Sequence, residues 1–415
     1  MFLDVTTRRN PALIEAAVKL HQQGDIPANC YVIDIDTVAA NARLVAEGAA
    51  AHGLTTYQMT KQFGRNPIVA KAIAEAGISS VVAVDFEEAR VLYRSGLRMG
   101  HLGHLVQVPA REAQLAVEMA PEFITVFGVP QAEAISRAAV AAGKVQPVQI
   151  RVSREGDVYY PAQKGGVPIE DLLEAAAAVD ALDGVRVAGV TSFPCLLWDE
   201  TDQEFRPTPN LTTVTRAAEL LRANGFTDVQ AINAPSASCL ATFEVLARNG
   251  ATHVEPGSCL TGQTPLHAVS DQPELPAMIY VSEITHQTAE ATYALGGGFY
   301  PRSKARNAII YPKSGGEPVR ATVELDPPDA IDYYGTLHVT GPGEVSVGDT
   351  VVYAFRSQVF VSRCFVAVIG GVATNPQVLG IFDRDGFALG PDLLPAAQPS
   401  SGVSALDTPA RAGAL

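Results

Sequence analysis

The run "TTYQMTK" ends on a lysine, Lys61, directly after a stretch with the alternation and length of a β-strand. Asn66 and Pro67 follow as the N-cap and first position of a helix. Its apolar residues Ile68, Val69, Ala72 and Ile73 recur at helical spacing before Gly77. Lys61 is therefore predicted in a βα loop, just past the C-terminal end of a strand, on the rim where α/β folds concentrate their chemistry. Three later segments carry unusual side chains at the same kind of boundary. "TSFPCLLWDE" has Ser192 and Phe193, "NAPSASC" has Asn233, Ser236 and Ser238, and "EPGSCLTG" has Glu255, Gly257 and Ser258. Hydroxyls and backbone N–H groups in such loops suit a phosphate. A lysine across the same rim adds an amine able to bond a carbonyl carbon. Each piece also has a plainer reading. Lys61 suits a solvated surface, Ser236 and Ser238 suit a helix cap, "EPGS" suits a turn, and Phe193 suits a core.

The elements that must position these residues are legible as alternation. Between Thr55 and Gly257, short apolar runs begin near residues 55, 80, 99, 123, 147, 185, 229 and 252, with Ala-rich amphipathic stretches between them. Such strands separated by helices predict an α/β fold, a (β/α)8 TIM barrel. The alternative is an open doubly wound sheet, weakened by the lack of a GxGxxG after the first strands. After about Pro276 the texture turns to strand-like segments with Gly, Pro and Asp turns, which predicts a mostly-β C-terminal domain. "NCYVIDID" precedes the barrel and is expected to add a strand to that domain. The expected organisation is an N-terminal segment 1–36, a barrel 37–270, a β domain 271–385, and an Ala/Pro/Ser/Gly-rich tail 386–415 expected to be flexible.

Composition bounds the partners. A chain of 415 residues, 47% hydrophobic and 18% charged, describes a globular protein. A formal charge of −14 argues against a nucleic-acid backbone as partner. The 5 cysteines are scattered, with no CxxC, as suits a reducing compartment. No apolar run reaches the ~18 residues of a membrane span, and the first residues lack the apolar core of a signal peptide. The expectation is a soluble, cytoplasmic protein with no membrane partner.

A lysine facing a phosphate cradle is the arrangement that pyridoxal 5'-phosphate needs. At this point a resemblance enters. "YVIDIDTVAANARLVAEGAAAHGL", followed by Lys61, resembles the N-terminal part of alanine racemase, and "VEPGSCLTG" resembles the last barrel strand of the same group. "ALGGGFYPR" and "VGDTVVY" are similar to landmarks of its C-terminal domain. This is the fold-type III group of pyridoxal-phosphate proteins, with alanine racemase, the eukaryotic-type ornithine decarboxylase and the D-threonine aldolases. "YQMTKQFGRNP" looks most like its YhfX-like branch.

The resemblance implies roles residue by residue. Lys61 would hold the cofactor and act as base on one face. Ser236, Gly257 and Ser258 would bind the phosphate. Phe193 stands where the family often has a histidine against the ring, and Lys164 falls near a family arginine that touches the ring oxygen. Glu255 falls where alanine racemase has an arginine at the ring nitrogen and the decarboxylase branch has glutamate. A carboxylate there favours a protonated ring nitrogen and so a deeper electron sink. That permits racemisation, and equally decarboxylation, elimination or retro-aldol cleavage. The family tyrosine of the opposite face, supplied by a second subunit, is replaced by about Leu295. Tyr293 and Tyr300 flank that position, and Cys259 and His286 are further candidates. Arg356 is a candidate for a substrate carboxylate. No metal is expected, because "TVVYAFRSQVFVSRC" has no histidine and "HLGH" (His101, His104) lacks an obvious third ligand. The expected protein is an amino-acid racemase or epimerase using pyridoxal 5'-phosphate, a head-to-tail homodimer with shared active sites. A lyase is the alternative, and a non-catalytic pyridoxal-phosphate-binding protein is the reading from another class.

Overall fold

The computed structural model describes residues 1–299, 303, 305–327 and 329–395. Residues 396–415 of the expected flexible tail therefore lie outside the described residues, as does Tyr300. Two helices open the chain, α1 (Phe2–Arg9) and α2 (Pro11–Gln23), followed by β1 (Cys30–Asp34) and α3 (Ile35–Ala51). Then comes the alternation: β2 (Thr55–Met59), α4 (Pro67–Glu75), β3 (Ser80–Ala83), α5 (Phe86–Arg94), β4 (Arg98–Leu102), α6 (Ala113–Glu118), β5 (Phe123–Val126), α7 (Val129–Ala141) and β6 (Gln146–Ser153). It continues through the short β7 (Val167–Pro168), α8 (Leu172–Asp180), β8 (Val185–Thr191), a hairpin β9 (Leu196–Asp199) and β10 (Glu204–Pro207), and α9 (Pro209–Ala223). It ends with β11 (Ala231–Asn233), α10 (Leu240–Arg248) and β12 (His253–Val254).

The parallel strands run β5-β4-β3-β2-β12-β11-β8-β6, and β5 pairs with β6 to close the ring. This is the predicted TIM-like barrel of eight parallel strands. Its closing joint between first and last strands is short, Thr55 opposite His253 and Thr56 opposite Val254. The joint extends beyond β12 through Met59 N donating to Pro256 O at 2.8 Å.

The remaining strands are β13 (Met278–Gln287), β14 (Thr292–Leu295), β15 (Asn307–Tyr311), β16 (Val319–Glu324), β17 (Tyr334–Val339), β18 (Thr350–Tyr353), β19 (Phe365–Gly370) and β20 (Gln377–Asp383). They form a second, mostly antiparallel sheet ordered β14-β17-β16-β15-β18-β13-β1-β19-β20. Strand β1 lies inside it, antiparallel to β13 and parallel to β19. No sequence signal singled out helices α1 and α2. They cover this sheet, where Leu13, Ile14, Ala17 and Leu20 pack with Val32, Ile279, Val281 and Val352 in a separate apolar cluster. Full burial of a Leu or Ile side chain contributes about 1.5–3 kcal/mol, so packing holds this pair of helices where signal-peptide logic offered no role. Among the described residues no helix is long and apolar enough to cross a membrane.

The loop that carries Lys61 is fixed on both sides. Asn66 caps α4 by accepting from Ile68 N and Val69 N, with Pro67 at the first position, as the sequence predicted. Residues 61–63 make one 3-10 turn, followed by Gly64 and Arg65 in the left-handed region, at φ 68° and 55°. A side chain at Gly64 would meet Val359 Cγ1 at 2.7 Å and Arg384 O at 3.0 Å. Arg65 instead reaches Asp385 at 2.7 Å. Thr60 donates to the buried Glu88 at 2.6 Å, and Ser357 donates to Gln62 O at 3.3 Å. The β sheet thus grips the barrel loop that presents the lysine.

Candidate active site

At the C-terminal rim of the barrel lies a cavity of about 590 Å3. Lys61 from the loop after β2 lines it, with Phe193 after β8, Ser236 after β11, and Glu255, Gly257, Ser258 and Cys259 after β12. Arg356, from the loop after β18, lines the same cavity, so the β sheet contributes to the rim of its own barrel. The sequence had scattered these residues over nearly 300 positions, and barrel closure collects them.

Glu255 is the electrostatic centre. It is buried, and its Oε1 accepts from Asn233 Nδ2 at 2.8 Å and lies 2.8 Å from His101 Nδ1. His101 Nε2 in turn lies 2.5 Å from Thr125 Oγ1. Glu255 N donates to Ser238 Oγ at 3.1 Å, which fixes the backbone. The other carboxylate oxygen, Oε2, is buried without a hydrogen-bond partner, although His104 Nε2 stands 3.4 Å away. Burial alone opposes the charge, but His104, His101 and Asn233 outweigh it and hold the carboxyl at about 2. His104 itself is pushed down to about 3, chiefly by burial.

The His101–His104 pair thus has a third neighbour that the sequence did not reveal. One ligand-type atom from each of His101, His104 and Glu255 falls within 4.8 Å of the others. Hydrogen bonds account for much of that proximity, since both ring nitrogens of His101 are engaged. His104 also meets the edge of Phe193 at 5.3 Å between ring centroids.

The loop after β12 packs closely on the turn that carries Lys61. A Cβ at Gly257 would lie 2.7 Å from Gln62 Oε1 and 3.0 Å from Met59 Cβ, so a side chain here would displace Gln62. Ser236 adopts φ 98° and donates to Leu196 O. The hairpin β9–β10 adds Leu197, Trp198 and Phe205 to the wall.

Other expectations need correction. Lys164 is exposed and does not line the cavity. Its neighbour Gln163 does, and the buried Arg151 donates to Gln163 O at 2.8 Å, so the cation nearest that part of the barrel interior is Arg151. Cys259 lines the cavity, but its thiol donates to Ser238 O at 3.2 Å and burial pushes it well above its usual range, which makes it a poor proton acceptor. Tyr293 is not among the cavity residues of its own chain. It stacks on His286, with centroids 4.5 Å apart and planes at 8°.

These residues fit pyridoxal phosphate. Lys61 offers an amine, the 236–238 and 257–258 loops offer an anion cradle, and the partnerless Oε2 of Glu255 offers an acceptor for a ring N–H.

Comparison with known proteins agrees with this geometry. The family "Alanine racemase, N-terminal domain" matches residues 33–265, and "YhfX-like, C-terminal domain" matches residues 279–379. The uncharacterized protein YhfX of Escherichia coli (strain K12) is 41% identical over 391 residues, 94% of this chain and 100% of that protein. Among solved structures, D-threonine aldolase from Filomicrobium marinum aligns with a TM-score of 0.65 at 16% identity, covering 87% of this chain and 96% of its own. D-threo-3-hydroxyaspartate dehydratase from Delftia sp. HT23 gives 0.61 at 16%, covering 85% and 97%. Alanine racemase from Corynebacterium glutamicum gives 0.57 at 18%, covering 79% and 90%. At these identities the structural likeness establishes the fold alone.

The held carboxylate makes a prediction about stability. A carboxyl lowered from 4.5 to about 2 on folding stabilises the protein above the higher value, and that contribution disappears as pH falls towards the lower one. Glu255→Gln is expected to lower the unfolding free energy at pH 7. The gap from wild type should narrow as pH falls from about 4.5 towards 2. Urea midpoints across that range measure it, and a gap that does not change with pH contradicts an ionised, held Glu255.

Proposed function

The chain belongs to the fold-type III pyridoxal-phosphate family, with an alanine racemase N-terminal domain and a YhfX-like C-terminal domain, and from that premise we propose that it is a pyridoxal-phosphate-dependent amino-acid racemase or epimerase. The observation that carries this reading is the buried, partnerless Oε2 of Glu255 in the cavity lined by Lys61. When bound, the cofactor supplies an electron sink for the pair left at the substrate Cα. The chain's own residues do the rest. Lys61 holds the cofactor through Nζ and takes or returns the α-proton on one face. Glu255 accepts the ring N–H. Ser236, Gly257 and Ser258 bind the phosphate, Phe193 lies against the ring, and Arg356 pairs with the substrate carboxylate.

A racemase needs a second proton carrier on the far face. Cys259 is a poor one, and Tyr293 is away from the cavity of its own chain. We assign that role to Tyr293 or Tyr300 of a second copy, in a head-to-tail homodimer with shared sites. A site closed between two copies also keeps water from the reacting carbon. Glu255 favours a second reading, because a carboxylate at the ring nitrogen serves a lyase equally well. The bond that breaks is then set by which substrate bond Arg356 and the cavity wall hold perpendicular to the ring.

Three outcomes are expected. Borohydride treatment of the yellow holoprotein should fix a pyridoxyl group on the peptide containing Lys61. Mass spectrometry finding it elsewhere, or nowhere, removes Lys61 from the site. Incubation with single amino-acid enantiomers in D2O should give inversion with α-deuterium. Released CO2, aldehyde or keto acid instead identifies a lyase, and inertness towards all of them supports a binding protein. Finally, inactive Lys61→Ala protein mixed with an inactive Tyr293→Phe or Tyr300→Phe variant should regain part of the activity after subunit exchange. An absence of recovery, or a fully active monomer, rules out the shared site.

A further inference from the structure

Glu255 is a carboxylate taken out of water, and burial is the largest influence on it. Left alone, such a group keeps its proton. It could then donate to the ring nitrogen of the cofactor, but that nitrogen would stay neutral. The proton sits on nitrogen only if Glu255 is ionised, and that depends on what reaches its other oxygen.

Two side chains do, both from other strands of the barrel. His101 on β4 is fully buried, with Nδ1 2.8 Å from Glu255 Oε1. An ionised carboxylate only accepts, so Nδ1 must carry the hydrogen. His101 Nε2 faces Thr125 Oγ1 at 2.5 Å. A hydroxyl donating there leaves Nδ1 as the nitrogen that carries the hydrogen. Asn233 Nδ2 lies 3.1 Å from His101 Nδ1 as well as 2.8 Å from Oε1. Two donors do not bond each other, so this short approach reflects their convergence on one oxygen. The remaining polar group against Oε2 is His104, whose Nδ1 is itself buried without a partner. Lys61 and Arg151 lie close enough for their charges to be felt at His104.

We propose that His101 is a positioning residue: by donating Nδ1–H to Glu255 Oε1, with Thr125 setting its tautomer, it keeps the proton between Glu255 Oε2 and the cofactor on the ring nitrogen. This rests on the pyridoxal-phosphate reading above. His101 is not among the residues that line the cavity, and it acts through Glu255 alone. Asn233 is the second donor to the same oxygen and shares the task.

Solid-state 15N NMR of the holoprotein loaded with pyridoxal phosphate labelled at the ring nitrogen reads the proton directly, without turnover. Wild type should give the shift of a protonated ring. His101→Leu should move it towards neutral pyridine, and His101→Gln, whose amide can still donate, should bring most of it back. Thr125→Val removes only the tautomer-setting hydroxyl and should shift the signal part of the way. Wild-type signals in both His101→Leu and Thr125→Val overturn the inference. If His101→Leu does not fold, an unchanged Thr125→Val signal overturns it alone. A wild-type protein that binds no pyridoxal phosphate overturns the functional reading and this inference together. Binding with unchanged variant spectra overturns only the role of His101.

Discussion

The site depends on one short joint, the pairing of β2 with β12 that closes the barrel. A parallel barrel must bring its first and last strands side by side, and here two residue pairs and the Met59–Pro256 hydrogen bond do so. Everything chemical follows from that joint. It puts the loop of Lys61 beside the loop of Gly257, so close that a single methyl group at Gly257 would strike Gln62 and Met59. It also sets Glu255, directly after β12, beside the loop of the lysine at the rim. A shift of one residue in this pairing would turn Glu255 out of the barrel and send its hydrogen-bond partners to water.

The barrel interior beneath the rim is unusually polar. Gln149, Arg151, Thr191, Asn233 and His101 are all buried on the barrel strands. In a low-dielectric interior such groups are stabilising only when they satisfy one another. Several do so around Glu255, while Gln149 and part of Arg151 retain unpartnered atoms. The apolar core sits instead between barrel and helices.

Much of this was legible in the sequence, for identifiable reasons. The strand runs, the Asn66-Pro67 helix start and the change of texture after Pro276 are local signals, and the structure follows each of them. Lys61, Glu255 and Gly257 could be singled out because each stands at the end of a strand-like run, and Arg356 because a guanidinium suits a carboxylate. The partnership of His101 with Glu255 spans 154 residues, and nothing local in "HLGH" points to it. A usable signal did exist. Thr125, Gln149, Thr191 and Asn233 each interrupt an apolar strand at an inward position, and read together they describe a polar barrel core. Lys164 was misplaced because loop length hides which of two cations, it or Arg151, turns inward. Helices α1 and α2 were missed because their apolar faces have meaning only against the sheet that β1 joins.

The sheet does more than cap the molecule. Arg65 is tied to Asp385, Gln62 to Ser357, and Gly64 is pressed against Val359 and Arg384, all within four residues of Lys61. The same loop region of the sheet sends Arg356 and Phe360 into the cavity. One wall of the rim is therefore built from the chain's own second sheet, rigidly and on the lysine side. The contacts that fix the lysine loop and the side chains that line its side of the cavity thus come from one stretch of the chain, residues 356–385.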